Sequence, residues 1–201
     1  MKILGLRAGH DSAASLVIDG KILSDVAEER FSRVKNDGSF PLQSITYCLE
    51  QAGITSEDLD VLSLPSVYFS SFLPVFFEWD GDIDIVRLSR GPQGAKRFLK
   101  RGFHSHRTPG GFYISSYKMR YQRTADPSLP QLPIYQKLMK LKKSCRIYLI
   151  EHHIAHAASA CYTSGINEGR ALCVTLDGSG DDVSSAIWRF EDKELSCLQA
   201  Y

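Results

Sequence analysis

The sequence predicts an α/β protein in which helices flank a mixed sheet. Short apolar segments of strand length alternate with segments whose apolar residues recur at helical spacing. Turns that contain Gly and Asp join successive strands, as is typical of hairpins. In addition, the order of strands and turns near the start of the chain recurs near its end.

Three strands are predicted in the first part of the chain, at residues 3–6, 13–18 and 21–27. A polar turn that contains Gly9 joins the first strand to the second. Asp19 and Gly20 join the second strand to the third, and they provide the positive φ angles that a tight hairpin requires.

A helix and a fourth strand follow. The helix is predicted to begin at Pro41, a favoured first helical position, and to end at Gly53, and the strand lies at residues 61–64. Residues 65–145 then carry 14 Lys and Arg against 5 Asp and Glu, with interleaved aromatic residues and poor periodicity. We interpret this segment as a basic insertion, with helical stretches at 93–101 and 133–143.

Regular periodicity returns after residue 145. The predicted elements are a strand at 146–150, a helix at 152–163 that ends near Gly165, and strands at 171–176, 183–190 and 195–201. A Gly/Asp turn at residues 177–182 joins the first two of these last strands, and residues 191–193 form the next turn.

Strand–turn–strand hairpins repeated in two halves are the plan of the actin-like ATPase (ribonuclease H-like) fold. In that fold two facing turns hold phosphates through backbone N–H groups. We predict that residues 1–170 form a first actin-like subdomain, which contains the basic insertion at about 65–145. Residues 171–201 begin a second subdomain. Because this second repeat ends almost as soon as it begins, we expect the rest of that half to be missing.

The composition limits the class of protein. Apolar residues make up 43% and charged residues 23% of the chain, and the net charge of +1 indicates neither an acidic nor a basic partner. Five cysteines without a CxxC pair provide no disulfide framework. No apolar run approaches the ~20 residues that span a membrane, and the N-terminus lacks the apolar stretch of a signal peptide. We expect a cytoplasmic protein with no membrane association.

His152 and His156 are the strongest candidates for metal ligands. Four residues apart on a predicted helix, they lie on one face with roughly 5–6 Å between their Cβ atoms. His153 points about 100° away and is less suited to the same ion. Asp177, at the end of the next strand, can supply a third ligand, and two His with one carboxylate suit iron(II) or zinc. The alternative is that one histidine packs or caps while the others are solvated.

Two Gly-containing turns are candidates for a phosphate or catalytic site. The glycines of Gly178–Ser179–Gly180 would let backbone amides approach an anion, although a surface hairpin turn would have the same composition. The other turn contains Gly9, His10, Asp11 and Ser12. His10 can act as a general acid or base because imidazole titrates near neutrality. Asp11 can orient that ring or cap the turn.

A compact group of cationic side chains follows the third strand, at Arg30, Arg33 and Lys35. Such a group suits a phosphate or an acyl phosphate, and a solvated charge run is the alternative. The basic insertion contains no recognised nucleic-acid-binding motif, so we do not expect a nucleic-acid partner.

Four motifs in order carry a family resemblance. They are Gly-His-Asp-Ser-Ala-Ala at 9–14, Ala-Glu-Glu-Arg-Phe-Ser-Arg-Val-Lys at 27–35, His-His-Ile-Ala-His-Ala-Ala-Ser-Ala at 152–160 and Leu-Asp-Gly-Ser-Gly at 176–180. With them the sequence resembles the O-carbamoyltransferases of nodulation-factor and antibiotic biosynthesis, such as the nodulation, cephalosporin and tobramycin enzymes. The resemblance covers the regular core and not the 65–145 insertion.

The resemblance implies an actin-like domain followed by a smaller activating domain, which is absent here. ATP and carbamoyl phosphate would give carbamoyl-adenylate, and the carbamoyl group would pass to a hydroxyl acceptor. His152, His156 and Asp177 would hold a metal, usually iron, together with a further aspartate beyond this chain. His10 would be the catalytic histidine.

Two other functions are compatible with the sequence. One is a threonylcarbamoyl transferase acting on tRNA, which the ordered motifs at 9–14 and 27–35 disfavour. The other is a non-catalytic metal- or partner-binding module that has lost its activating domain. A homodimer is one candidate assembly.

Overall fold

The computed structural model describes residues 1–66, 77–78, 82–88, 104–107, 112–118, 139–166 and 169–201. The chain divides into two compact units. Unit 1 comprises Met1–Leu64, Phe69–Ile83 and Lys118–Tyr148, and unit 2 comprises Pro65–Tyr68, Asp84–Tyr117 and Leu149–Tyr201. The described elements are strands and helices, so the α/β class is confirmed. The division predicted at residue 170 stays a prediction.

The described strands of unit 1 include β1 (Lys2–Arg7), β2 (Ala13–Ile18), β3 (Lys21–Ala27) and β4 (Val61–Leu64), in the order β3-β2-β1-β4. The β1–β2 and β2–β3 pairs are antiparallel and the β1–β4 pair is parallel, which confirms a mixed sheet. Asp19 and Gly20 have φ angles of 49° and 79°, as the predicted hairpin turn requires. All four strands agree closely with the sequence prediction.

The helices in the described part of unit 1 are α1 (Glu29–Ser32), α2 (Leu42–Gln51) and a 3₁₀ turn at Ser56–Asp58. Helix α2 packs on β2 and β3 and buries Ile45 and Cys48. It ends in a Schellman motif, in which Gly53 (φ 61°) donates to the Glu50 carbonyl and Ile54 donates to the Leu49 carbonyl. The predicted stop at Gly53 is therefore confirmed, and Pro41 lies one position before the first helical residue.

Two short strands, β5 (Phe77–Glu78) and β9 (Met139–Lys140), pair in parallel within unit 1. The helix predicted at 133–143 is therefore wrong in its described part. Met139 and Leu141 are buried and Lys140 is exposed, so the burial alternates with the period of a strand. The helix predicted at 93–101 lies outside the described residues.

Unit 2 contains most of β6 (Asp82–Leu88), β7 (His104–Arg107) and β8 (Phe112–Lys118), and the last residues of β10 (Arg146–Ile150). It also holds helix α3 (His152–Thr163) and the antiparallel strands β11 (Arg170–Gly180), β12 (Val183–Glu191) and β13 (Glu194–Ala200). The sequence prediction gave β10 and α3 with the same bounds.

The core of unit 2 lies where α3 packs on the three-stranded sheet. Ile154, Ala157 and Cys161 from α3 meet the fully buried Trp188 of β12 and its neighbours. The face of α3 that enters this core is set by the helical spacing of its apolar residues.

The turn predicted at residues 177–182 is shorter than expected. Strand β11 continues through residues 177–180, with an irregular register between Leu176 and Gly180, and pairing ends at Gly180 opposite Val183. Only Asp181 and Asp182 form the turn, with φ angles of 51° and 67°. A two-residue hairpin turn of this type needs two residues in the left-handed conformation, which Asp tolerates. Gly178 and Gly180 therefore lie in strand β11 and not in the turn.

Among the described residues, the structure holds no helix that is long and apolar enough to cross a membrane.

Candidate functional site

Three predicted ligands meet in unit 2, where the first turn of α3 lies beside β11. His152 is the first residue of α3, and His156 follows one turn later. The Nε2 atoms of the two rings are 2.9 Å apart, and Asp177 Oδ2 lies 2.6 Å from His152 Nε2 and 3.8 Å from His156 Nε2. The structure therefore brings together His152, His156 and Asp177, as the sequence predicted.

The donor set and its spacing fit a divalent metal ion. The three ligand atoms lie within 4.8 Å of one another. Two ligands at about 2.1 Å from one ion are about 3.0 Å apart at an angle of 90° and about 3.4 Å apart in a tetrahedron. The observed separations of 2.6–3.8 Å bracket these values. Two imidazoles and one carboxylate also leave positions for further ligands, as in catalytic zinc and iron(II) sites.

The site is open to solvent on the side of His156 and Asp177. Their side chains are 50% and 41% exposed, whereas His152 is 15% exposed. The hydrogen bond from His152 lowers the pKa of Asp177 below its ordinary value, and the backbone N–H of Gly178 contributes in the same direction. The carboxylate is therefore held in the ionised form that binds metals.

His153 has a different environment from its two neighbours. Its ring is fully buried, with Nε2 2.9 Å from the Val183 carbonyl and Nδ1 2.8 Å from Thr175 Oγ1. Trp188 Nε1 donates to the same Thr175 oxygen at 3.1 Å. A neutral ring that donates from Nε2 and accepts at Nδ1 satisfies all these groups. His153 is thus a core residue, and its contacts agree with the expectation that it does not share a metal ion with His152 and His156.

Two residues beside the group of His152, His156 and Asp177 have contacts with His152 that the sequence does not predict. Asp181 Oδ2 accepts the backbone N–H of His152, and Gly180 lies against the His152 ring. Asp181 is visible in the sequence as part of the Gly/Asp segment. Its partner is 29 residues away and is defined only by the packing of α3 on β11.

The turn between β1 and β2 holds four predicted site residues in unit 1. The Ser12 hydroxyl donates to the Gly9 carbonyl at 2.7 Å and accepts the Gly9 N–H at 3.1 Å. His10 is exposed, and its Nδ1 lies 2.5 Å from Asp11 Oδ2. When Nδ1–H donates to Asp11, the neutral ring carries its lone pair on Nε2. The prediction that Asp11 orients the imidazole agrees with this geometry.

The segment after α1 lies against the same turn. The Ser12 N–H donates to the Asp37 carbonyl at 2.9 Å, and Asn36 Nδ2 lies 3.5 Å from His10 Nε2. The Asn36 N–H in turn donates to the Glu29 carboxylate at 3.1 Å. This contact of Asn36 with His10 was missed at the sequence level, because neither residue type nor spacing marks it.

The cationic residues Arg30, Arg33 and Lys35 are exposed on and just after α1 in unit 1. Arg33 has a φ of 60° and ends the helix, and Arg30 contacts Glu29 at 3.7 Å. On the other predicted turn, the Gly178 N–H donates to the Asp177 carboxylate at 2.6 Å, while Gly180 is buried in β11. Binding of phosphate by either group, or by Ser179, stays a prediction.

Comparison with known proteins identifies the family. The model of the family described as the carbamoyltransferase N-terminus matches residues 2–199, so the chain belongs to this family. Among similar proteins, the uncharacterized protein sll1178 of Synechocystis sp. is 33% identical over 96% of this chain and 28% of its own length. The nodulation protein NolNO of Sinorhizobium fredii is 29% identical over 89% of this chain and 21% of its own length.

The chain therefore spans about a quarter of the length of these curated relatives. The match covers both the His10 turn and the His152–Asp177 group, because it extends over nearly all of the sequence.

Proposed function

We propose that this chain forms the transfer site of an O-carbamoyltransferase, in which a carbamoyl group passes from carbamoyl-adenylate to a hydroxyl of a small-molecule or glycan acceptor. The convergence of His152, His156 and Asp177 in a chain of the carbamoyltransferase family carries this proposal. ATP and carbamoyl phosphate would be the reactants of the preceding activation, which we assign to a part of the protein outside this chain.

The proposal includes the actin-like ATPase fold. The mixed sheet of unit 1 and the repeated hairpins, one at β1–β3 and one at β11–β13, support it. In this proposal the turn at Gly9–Ser12 and the β11 backbone at Gly178–Gly180 contact phosphate. Arg30, Arg33 and Lys35 neutralise the charge of the nucleotide or of carbamoyl phosphate.

His152, His156 and Asp177 would hold the metal, with iron(II) favoured and zinc as the alternative. A bound ion of this kind supplies Lewis-acid polarisation of a carbonyl or phosphoryl oxygen. The two rings must be neutral and the carboxylate ionised to act as ligands, and the lowered pKa of Asp177 meets the second condition.

His10 would act as the general base of the transfer step. The acceptor hydroxyl gives its proton to His10 Nε2, its oxygen forms the new bond to the carbamoyl carbon, and the bond from that carbon to the adenylate oxygen breaks, releasing AMP. Asp11 holds the Nδ1–H and so keeps the lone pair on Nε2. The contact at 3.5 Å lets Asn36 restrict rotation of the ring.

The transfer step is testable in the full-length protein that contains this chain. The iron-loaded protein is mixed with carbamoyl-adenylate and a panel of hydroxyl acceptors, and AMP release is followed by chromatography. We expect an acceptor-dependent rate above that without protein, and a fall of about 100-fold or more in His10→Asn. AMP release at the uncatalysed rate with every acceptor would exclude the proposal. A tRNA anticodon stem in the panel distinguishes the tRNA-modifying alternative.

A further inference from the structure

The end of strand β11 makes an unusually close approach to His152. A Cβ atom placed on Gly180 would lie 2.1 Å from His152 Cδ2 and 2.4 Å from Cγ, far inside van der Waals contact. Gly178, two residues earlier on the same strand, has nothing within 4 Å of such a Cβ atom. A glycine in a strand often marks a position where another group must come close, and at Gly180 that group is the imidazole ring.

Asp181 holds the same histidine by its backbone. Its carboxylate is buried at 7% exposure, and Oδ2 accepts the His152 N–H at 2.8 Å while Oδ1 accepts the Ser66 hydroxyl at 2.8 Å. The N–H of a first helical residue has no partner within the helix. Glu151, which precedes the helix, makes no side-chain capping bond, so the cap of α3 comes from Asp181. A negative charge there also interacts favourably with the helix dipole.

Strand β11 thus contributes to the metal site twice. It carries the ligand Asp177, and four residues later it provides the surface and the hydrogen bond that fix His152. Both contacts act on His152, whose ring is 2.6 Å from the Asp177 carboxylate. A shift of Gly180 or of the Asp181 carboxylate would therefore change the distance between the His152 ring and the Asp177 carboxylate.

We propose that Gly180 and Asp181 are positioning residues of the metal centre, which set the place of His152 relative to Asp177 and thereby the affinity and coordination geometry of the ion. This inference rests on the proposed metal site. It assigns no ligand role to either residue. Residues that orient metal ligands typically contribute 10–100-fold in affinity.

The glycine is tested by Co²⁺ titration of the full chain, with the visible absorption bands reporting coordination geometry and calorimetry giving Kd. Gly180→Ala is expected to weaken Co²⁺ binding at least 10-fold and to alter the spectrum. Val174→Ala, an exposed substitution on the same strand at a residue with no assigned contact, is expected to change Kd by less than about twofold.

The aspartate is tested in the same way. Asp181→Ala is expected to weaken binding at least 10-fold. Asp181→Asn is expected to restore most of the affinity, since its amide oxygen can accept from His152 and its NH₂ group can donate to Ser66. Asp182→Ala is the matched control, because Asp182 is exposed and has a similar left-handed φ of 67°.

If Gly180→Ala does not fold, the same substitution is made in the His152→Gly background, where all three of the closest side-chain atoms of residue 152 are gone. Recovery of folding there supports the contact. Wild-type affinity and spectrum in both Gly180→Ala and Asp181→Ala would overturn the positioning role alone. Absence of Co²⁺ binding by the wild-type chain would instead overturn the metal site, and this inference with it.

Discussion

At the scale of single residues, adjacent histidines have separate roles. His152 faces Asp177 at a partly exposed site, whereas His153 is fully buried between Thr175 and Val183. Their directions differ by about 100° because consecutive helical residues do. The spacing of residues was therefore enough to separate the candidate ligand His152 from the core residue His153.

We predict that His153→Asn lowers the free energy of unfolding by about 2–4 kcal/mol, because the shorter side chain leaves buried partners without hydrogen bonds. Metal stoichiometry of the folded protein stays unchanged. Urea unfolding and metal analysis measure the two quantities. A variant of normal stability that has lost its metal would show that His153 is a ligand after all.

Residue spacing explains which parts of the site were predictable. The pair His152 and His156 follows from helical periodicity, and Asp177 follows from its place late in a predicted strand. The roles of Gly180 and Asp181 depend on how α3 packs against β11. Such a contact joins residues far apart in sequence, and no local pattern marks it.

At the scale of elements, α2 is held by a carboxylate from outside the helix. The Glu28 carboxylate is buried, with the residue 3% exposed. Its Oε1 atom accepts hydrogen bonds from the backbone N–H and the side-chain amide of Gln43, at 3.1 and 3.2 Å. Its Oε2 atom accepts from the backbone N–H and the hydroxyl of Ser44, at 2.8 and 2.7 Å. These N–H groups lie in the first turn, where no helical partner exists. Pro41, which precedes the helix, makes no side-chain capping bond.

We predict that Glu28→Ala destabilises the protein by about 2–3 kcal/mol, the sum of a lost cap and a buried Ser44 hydroxyl without its acceptor. Glu50→Ala, an exposed position in the last turn of α2, is the control. It should be neutral, because a carboxylate near a helix C-terminus is not favoured by the dipole. Equal unfolding midpoints in urea for Glu28→Ala and wild type would refute the capping role.

The elements themselves were largely predictable from the sequence. Strands β1 to β4 and helix α3 follow from periodicity and turn residues, whereas the sequence predicts a helix where β9 lies. Its two residues gain strand pairing from β5, about sixty positions earlier. Pairing between strands that are distant in sequence overrides the local propensity of the residues, and a short stretch of sequence cannot predict it.

At the scale of the whole molecule, buried thiols couple stability to alkaline pH. Burial raises the pKa of Cys145 from its ordinary value of 9.0 to about 11. Between these values the unfolded chain has lost the proton that the folded chain still holds, so stability falls as pH rises through this window. Below pH 9 both states are protonated and the effect is absent.

We predict that the free energy of unfolding of the wild type falls more steeply between pH 9 and pH 11 than that of Cys145→Ala. Comparison of the two slopes in urea removes the contribution of lysines and of the other cysteines, which both proteins share. Parallel slopes would show that the Cys145 thiol titrates alike in the folded and unfolded states.

His152, His156 and Asp177 form the proposed metal site of this member of the carbamoyltransferase family. The most direct measurement is the metal content of the purified chain after reconstitution with iron(II) or zinc, by mass spectrometry. Wild type and Ser159→Ala, an exposed substitution on the same helix, should each bind about one ion. The His152→Ala, His156→Ala double variant should bind almost none, and equal metal content in the double variant and the wild type would contradict the account.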